Sequence, residues 1–240
     1  MTRSNRYIPP GYFYYLTHRC HNHKFLLKYR LDRTEYNTRL RDAVRKHHIS
    51  LLDFAITSNH VHLAAIYRQT GDLSQFMQQL EGEFADYYNH RKHRRGAFWE
   101  GRFHSTMIDG GDHLWNCLRY IDLNMVRAGV VHHPIDWPWC GYRELVGIRQ
   151  RFCLLDRDRL VELLGMRDRK SFVETHQQRV LESIKKNHLR REAIWTESIA
   201  VGREAFVKEI IAKTKNRKRL YLASDDDGCW YVKEATIDYE

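Results

Sequence analysis

The sequence predicts an α+β fold, with a ferredoxin-like antiparallel sheet, helices on one face, and a mostly helical C-terminal extension. Four short segments are rich in β-branched and aromatic residues, and two segments with helical periodicity lie between them. Their order, β-α-β-β-α-β, is that of a ferredoxin-like domain. After Trp137-Pro138-Trp139 the pattern becomes mainly helical. We therefore expect a domain of residues 1–150 and an extension of residues 151–240.

Each element has a local signal. Aromatic or β-branched composition predicts strands, and apolar residues three or four apart predict helices. In chain order, we expect a strand at 11–17, a helix at 32–47, strands at 49–57 and 60–67, a helix at 73–93, a strand at 102–108 and a helix at 113–128. In the extension, we expect helices at 158–164, 170–186 and 203–213, and hairpin strands at 219–223 and 229–232. A helix-turn-helix over 194–213 is a less favoured alternative.

Charge indicates the class of partner. The chain has 240 residues, a net charge of +10 and a pI near 9.4, which favours a polyanion, most often nucleic acid, over a general solubility charge. Residues 1–150 carry a net charge of +7 and thirteen of the fifteen histidines, so the chemistry is expected there. The five scattered cysteines, the lack of a long apolar run and the polar N-terminus favour a cytoplasmic protein without a membrane span.

The most specific motif is His60-Val61-His62. Alternation in a strand puts both imidazoles on one face, where a divalent metal can bind them. A hydrogen-bonded pair on a half-buried strand is the alternative. A second pair, His21-Asn22-His23, lies among polar residues with no apolar alternation to order it.

The predicted helix at 113–128 carries a second set of reactive side chains. Tyr120, Asn124 and Arg127 are spaced i, i+4 and i+7, so one helical face would present all three. Gly110-Gly111 gives this helix a flexible entry. Taken singly, Tyr120 is more often a packing residue and Asn124 a solvated one.

These motifs together resemble a known family. The segments 58–63 (SNHVHL), 98–103 (FWEGRF) and 119–129 (RYIDLNMVRAG) are similar to those of the single-tyrosine HUH transposases, and in particular the REP-associated tyrosine transposases. The resemblance covers roughly residues 6–146. The family usually has Met-Pro where Thr57-Ser58 stands here, and a proline at Met125. Neither departure removes a reactive group.

The resemblance implies a function and a site. His60, His62 and Asn124 would bind a divalent metal, Mg²⁺ or Mn²⁺, and Tyr120 would be the nucleophile. The expected activity is a metal-dependent single-stranded DNA endonuclease and strand transferase. It would act near DNA hairpins and form a 5′-phosphotyrosine intermediate. A domesticated nucleic-acid-binding protein that no longer cuts is the main alternative, and a structural zinc protein using Cys20, His21 and His23 is a weaker one.

Cations mixed with aromatic residues predict the DNA contacts, because cations bind phosphates and aromatic rings stack on unpaired bases. A solvated helix end with core aromatics is the alternative. The residues expected to contact DNA are Arg3, Arg6, Arg91, Lys92, Arg94, Arg95, Trp99, Arg102, Arg119 and Arg127. Tyr87-Tyr88 is a rival nucleophile pair. A monomer is expected, with a dimer as the alternative.

Overall fold

The computed structural model describes residues 8–68, 72–214, 220–225 and 228–234. One mixed sheet runs through the described chain in the order β2-β3-β1-β4-β5-β7-β6, with every neighbouring pair antiparallel except β4 and β5. Its strands are β1 (Phe13–Arg19), β2 (Ser50–Ile56), β3 (His60–Ile66), β4 (His104–Ile108), β5 (Ala200–Gly202), β6 (Leu220–Ser224) and β7 (Trp230–Glu234). The first four strands have the ferredoxin-like order predicted from the sequence.

The helices of the described chain mostly match the predicted segments. They are α1 (Arg30–Lys46), α2 (Asp72–Arg91), α3 (Asp112–Asp122), α4 (Asn124–Arg127), α5 (Tyr142–Leu145), α6 (Arg157–Leu163), α7 (Arg169–Lys185), α8 (Ala193–Glu197) and α9 (Glu204–Lys213). Helices α1 and α2 pack against each other, as two crossover helices on one face of the sheet would. No described helix has the length and apolar content needed to cross a bilayer.

The other face of the sheet is also covered. Helix α3 packs on β2, β3 and β4, and its Tyr120 ring meets the Tyr15 ring, so this helix covers the face that bears the imidazoles. The core continues across α3 into the extension, where Trp115 stacks on Phe172 of α7 with ring centroids 5.2 Å apart. The imidazoles of β3 therefore lie between the sheet and α3, and α3 in turn packs on the extension.

The extension joins the same sheet. Strand β5 pairs with β4 in parallel, and the predicted hairpin forms as β6 and β7 beside it. Gly202 fits at this junction because a Cβ there would lie 2.4 Å from Cβ of Asp109. The helix-turn-helix alternative is wrong, since β5 separates α8 from α9.

The helix predicted at 113–128 is broken. Helix α3 ends at Asp122, Leu123 has φ −78° and ψ 2°, and α4 begins at Asn124. In a continuous helix the carbonyl of Tyr120 would accept from the N–H of Asn124. Here that carbonyl accepts from the Arg127 guanidinium at 2.8 Å, so a side chain caps α3 in place of the next turn.

Candidate active site

Two histidines of β3 and a tyrosine of β1 form the part of the site that lies on the sheet. Thr17 pairs with His62 and Arg19 with His60, so both imidazoles lie on the sheet face that also carries Tyr15. The ring centroids of His60 and His62 are 4.5 Å apart. The alternation of the sequence therefore places the two imidazoles side by side.

His60 is oriented by the turn that precedes it. Its Nδ1 lies 2.6 Å from Oδ1 of Asn59 and 3.0 Å from Oγ1 of Thr57, which directs Nε2 away from the turn. Burial lowers the pKa of His60 to about 4, and the charge of Arg19 contributes. The ring is therefore neutral near pH 7, as a metal ligand must be.

His62 links the sheet to α4. Its Nε2 lies 2.7 Å from the side-chain amide nitrogen of Asn124, and its Nδ1 lies 2.5 Å from the hydroxyl of Tyr15. Burial, followed by the neighbouring His60 and Arg127, lowers the pKa of His62 well below its ordinary value. The residue is thus a neutral imidazole held at both nitrogens, with Asn124 on the side that faces α4.

Tyr120 completes this group through ring contacts. The Tyr15 ring stacks on His62 at 5.7 Å and meets the Tyr120 ring edge-on at 6.1 Å. Tyr120 is only 4% exposed, and burial raises its pKa. The Arg127 guanidinium lies 3.9 Å from the centre of the Tyr120 ring and opposes that rise. The phenol is therefore protonated at neutral pH and sits beside a cation.

The donor set fits a divalent metal. Two neutral imidazoles lie side by side, the Asn124 amide contacts one of them, and the amide oxygen would be a third ligand atom if this amide turned over. Among the described residues, no group of three or more His, Cys, Asp or Glu side chains is arranged to hold a metal. The candidate ligands remain the three residues that the resemblance implies, His60, His62 and Asn124. The residues of the zinc alternative show no such arrangement, because Cys20 is buried while His23 is exposed and pairs with Glu100.

The cations predicted to contact DNA have varied surroundings. Arg91 bonds to the buried carboxylate of Asp32, and Arg94 bonds to Asn89 and to the carbonyl of Ala97. Arg119 donates to Ser183 of α7 and lies 3.6 Å from Glu192, while Arg127 caps α3. Lys92, Arg95 and Arg102 are exposed, and Arg3 and Arg6 lie outside the described residues.

Trp99 lies in the core. It is 8% exposed, its ring stacks on His18 at 4.4 Å, and its indole N–H donates to the carbonyl of Glu81. In this conformation it has no open face for a base. The sequence alone did not show whether the Trp99 ring would be exposed or buried. In the structure, Trp99 forms an isolated β-bridge with Cys20, and its ring lies in the core.

Three contacts of the site have no signal in a single sequence. Tyr15 lies in an aromatic run that predicts only a strand, and its bond to His62 depends on how β1 pairs with β3. Trp195 of α8 packs on Tyr120 at 6.0 Å from 75 residues further along the chain. Buried Asp122, between Tyr120 and Asn124, bonds at 2.7 Å to buried His176 of α7.

Comparison with known proteins finds similarity to transposases. Residues 12–124 match the family model described as transposase IS200 like. A Haemophilus influenzae protein named for the REP-associated tyrosine transposases is 27% identical over 123 residues, which span 45% of this chain and 70% of that protein. The structure of a REP-associated tyrosine transposase bound to a REP hairpin matches 65% of this chain and 93% of its own, with 19% identity and a TM-score of 0.53, which shows a shared fold.

The matched region holds both histidines of β3, the tyrosine at the end of α3 and the asparagine that begins α4. Residues 12–124 are therefore similar to IS200-like transposases, and this part of the chain is also similar in sequence to a protein named for the REP-associated tyrosine transposases.

Proposed function

We propose that this protein is a metal-dependent transposase that cuts and rejoins single-stranded DNA beside hairpins, with Tyr120 as the nucleophile. The observation that carries the proposal is the junction at His62, whose two ring nitrogens contact Asn124 and Tyr15, while Tyr15 also contacts Tyr120. A nucleophile and a candidate metal site thus share one buried neighbourhood. A packing tyrosine would not require a cation and paired imidazoles beside it.

In the proposed reaction, the phenol oxygen of Tyr120 forms a bond to a backbone phosphorus of DNA. The bond from phosphorus to the 3′ oxygen breaks, and the phenol proton ends on that oxygen. The products are a 5′-phosphotyrosine and a 3′-OH. Because the phosphodiester bond energy is retained, a different 3′-OH can reverse the step and join strands. Arg127 stabilises the phenolate character that develops on Tyr120, since its guanidinium lies 3.9 Å from that ring.

His60, His62 and Asn124 would hold the metal, Mg²⁺ or Mn²⁺, which when bound neutralises phosphate charge and makes a weak nucleophile sufficient. The protein environment keeps both imidazoles neutral, because burial lowers the pKa of each. Asn59 orients His60 and Tyr15 orients His62, each through Nδ1. Such outer contacts fix the tautomer in which Nε2 is the ligand atom.

Hairpin DNA is the proposed partner, since a structural relative is described as bound to a REP hairpin. The exposed cations Lys92, Arg95 and Arg102 would bind phosphates from the surface, and the net charge of +7 over residues 1–150 would strengthen binding at low salt. We also propose that Arg127, whose guanidinium lies 3.9 Å from the centre of the Tyr120 ring, and Arg119, which precedes Tyr120 in the chain, act on the phosphate that is cut. We keep monomer as the proposed state.

A labelled hairpin oligonucleotide with single-stranded flanks, incubated with Mn²⁺, tests the nucleophile. Wild type should form a covalent adduct that survives denaturing electrophoresis, and Tyr120→Phe should form none. Tyr87→Phe is the matched control, because Tyr87 is a half-buried tyrosine of α2 that contacts Arg39 and Arg91. It should form adduct as wild type does. An adduct in Tyr120→Phe would show that another residue attacks. Tight binding without any adduct in wild type would favour the non-cleaving alternative.

A further inference from the structure

A short segment next to His60 has an unusual surface. Residues 19–31 contain two arginines, two lysines and no acidic residue. The segment leaves β1, forms a 3-10 turn at His21–His23 and leads into α1. Of the eight large hydrophobic side chains that are exposed in the described chain, three lie here: Phe25 (65% exposed), Tyr29 (57%) and Leu31.

Lysine side chains flank the exposed aromatic residues. Nζ of Lys92 lies 5.1 Å and Nζ of Lys28 lies 5.9 Å from the centre of the Tyr29 ring. Lys24 is exposed beside Phe25 in the chain. Open aromatic rings among cations match the chemistry of an unpaired nucleic-acid strand, whose bases stack and whose phosphates are anionic.

Hydrogen bonds tie this segment to the turn that holds His60. The N–H of Leu27 donates to Ser58, the N–H of Cys20 donates to Asn59, and the Asn59 amide donates to the carbonyl of His23. Asn59 in turn contacts Nδ1 of His60 at 2.6 Å. The segment that carries Phe25 and Tyr29 is therefore bound to the turn that precedes His60.

We propose that Phe25 and Tyr29, with Lys24, Lys28 and Lys92, bind the unpaired DNA strand that leads to the cleavage site. This inference rests on the proposed function and gives it a binding surface for the single-stranded flank of the hairpin. Phe25 and Tyr29 stack on bases, and the lysines bind phosphates. An acidic protein segment has similar charge, but it would not explain the hydrogen-bonded link to His60.

The test compares two hairpins with the full-length protein in EDTA, where binding is measured without cleavage. One hairpin has unpaired tails and the other is blunt, and fluorescence anisotropy gives both dissociation constants. Phe25→Ala and Tyr29→Ala should each weaken binding of the tailed hairpin by roughly 5- to 100-fold and leave the blunt hairpin unchanged. The control is Phe152→Ala, because Phe152 is 72% exposed and lies 5.6 Å from the Arg41 guanidinium, yet is distant in the chain from His60. It should alter neither constant.

Unchanged binding of the tailed hairpin in both variants would overturn the proposal and leave a protein partner as the better explanation of the surface. Equal weakening for both hairpins would also overturn it, since the contact would then be with duplex. The adduct assay separates this inference from the proposed function. If wild type forms no adduct but tail binding depends on Phe25, the surface stands and the cleavage proposal fails. If wild type forms adduct and binding of the tailed hairpin does not depend on Phe25 or Tyr29, the cleavage proposal is supported and the proposed binding surface is wrong.

Discussion

Tyr15→Phe is the sharpest test of how the site is built. The substitution removes one hydroxyl, which lies 2.5 Å from Nδ1 of His62, and keeps the ring that stacks on His62 and meets Tyr120. The Nδ1–H of His62 then lacks its oxygen partner. Loss of such an outer contact typically weakens metal binding by about 10- to 100-fold, equivalent to about 1.4–2.7 kcal/mol.

The measurement is a Mn²⁺ titration followed by the EPR signal of the unbound ion. A second readout is the Mn²⁺ concentration that gives half-maximal adduct. Both values should rise by the same factor in Tyr15→Phe. The free energy of unfolding without metal should fall by roughly 1–3 kcal/mol, because a buried hydrogen-bonding group loses its partner.

Tyr14→Phe is the matched control. Tyr14 is the preceding residue of β1, is also buried, and donates its hydroxyl to the carbonyl of Pro9 at 2.5 Å on the opposite face of the sheet. It should show a comparable loss of stability with no change in Mn²⁺ affinity. If Tyr15→Phe folds and binds Mn²⁺ as tightly as wild type, Tyr15 does not orient a metal ligand.

Three further outcomes are expected. His176→Ala should lower the free energy of unfolding by about 3–5 kcal/mol, because the buried carboxylate of Asp122 loses its histidine partner. Urea unfolding measures this, and a loss below about 1 kcal/mol would contradict it. Burial lowers the pKa of His60 to about 4, so the unfolded chain (pKa about 6.5) binds that proton more readily than the folded protein. Stability without metal should therefore fall as pH decreases from about 6.5 to about 4, and less so in His60→Gln; identical pH profiles would refute the assignment. A chain ended at residue 150 loses β5 and exposes the edge of β4, so it should aggregate in sedimentation experiments, whereas a monodisperse folded fragment would show that the extension is dispensable.

The strands and most helices were predictable because their signals are local. Alternation around His60 and His62 gave their shared face, and helical spacing gave α1, α2 and α7 to within a few residues. Element order then limited the sheet to a ferredoxin-like arrangement. That order could not show that the extension would add β5 to the same sheet, since three residues, Ala200–Gly202, carry too little pattern to predict a strand.

The break after α3 was not predictable from local preference. Leu123 and Met125 favour a continuing helix, and the sequence has no glycine or proline between Tyr120 and Arg127. At the break, the Arg127 side chain bonds to the carbonyl of Tyr120. The i, i+4 spacing of Tyr120 and Asn124 assumed one continuous helix. The two residues lie on different helices, so this spacing does not account for their relative position.

The break changes what sets the distance between the proposed nucleophile and the proposed third ligand. In a continuous helix, the backbone ladder alone would fix Tyr120 relative to Asn124. Here three side-chain bonds do so. Arg127 holds the Tyr120 carbonyl, His62 contacts the Asn124 amide, and the Asp122 carboxylate between them is bound by His176 from the extension.

The extension therefore helps to hold the residues of the candidate site in position. Helix α7 reaches the midpoint of the segment from Tyr120 to Asn124 through His176, and α8 reaches Tyr120 itself through Trp195. A substitution that shifts α7 should thus move the proposed nucleophile and the proposed third ligand relative to each other without touching DNA or metal. Division of the chain at residue 150 remains useful for its composition, but β5 and these two contacts make the sheet domain and the extension one structural unit around the candidate site.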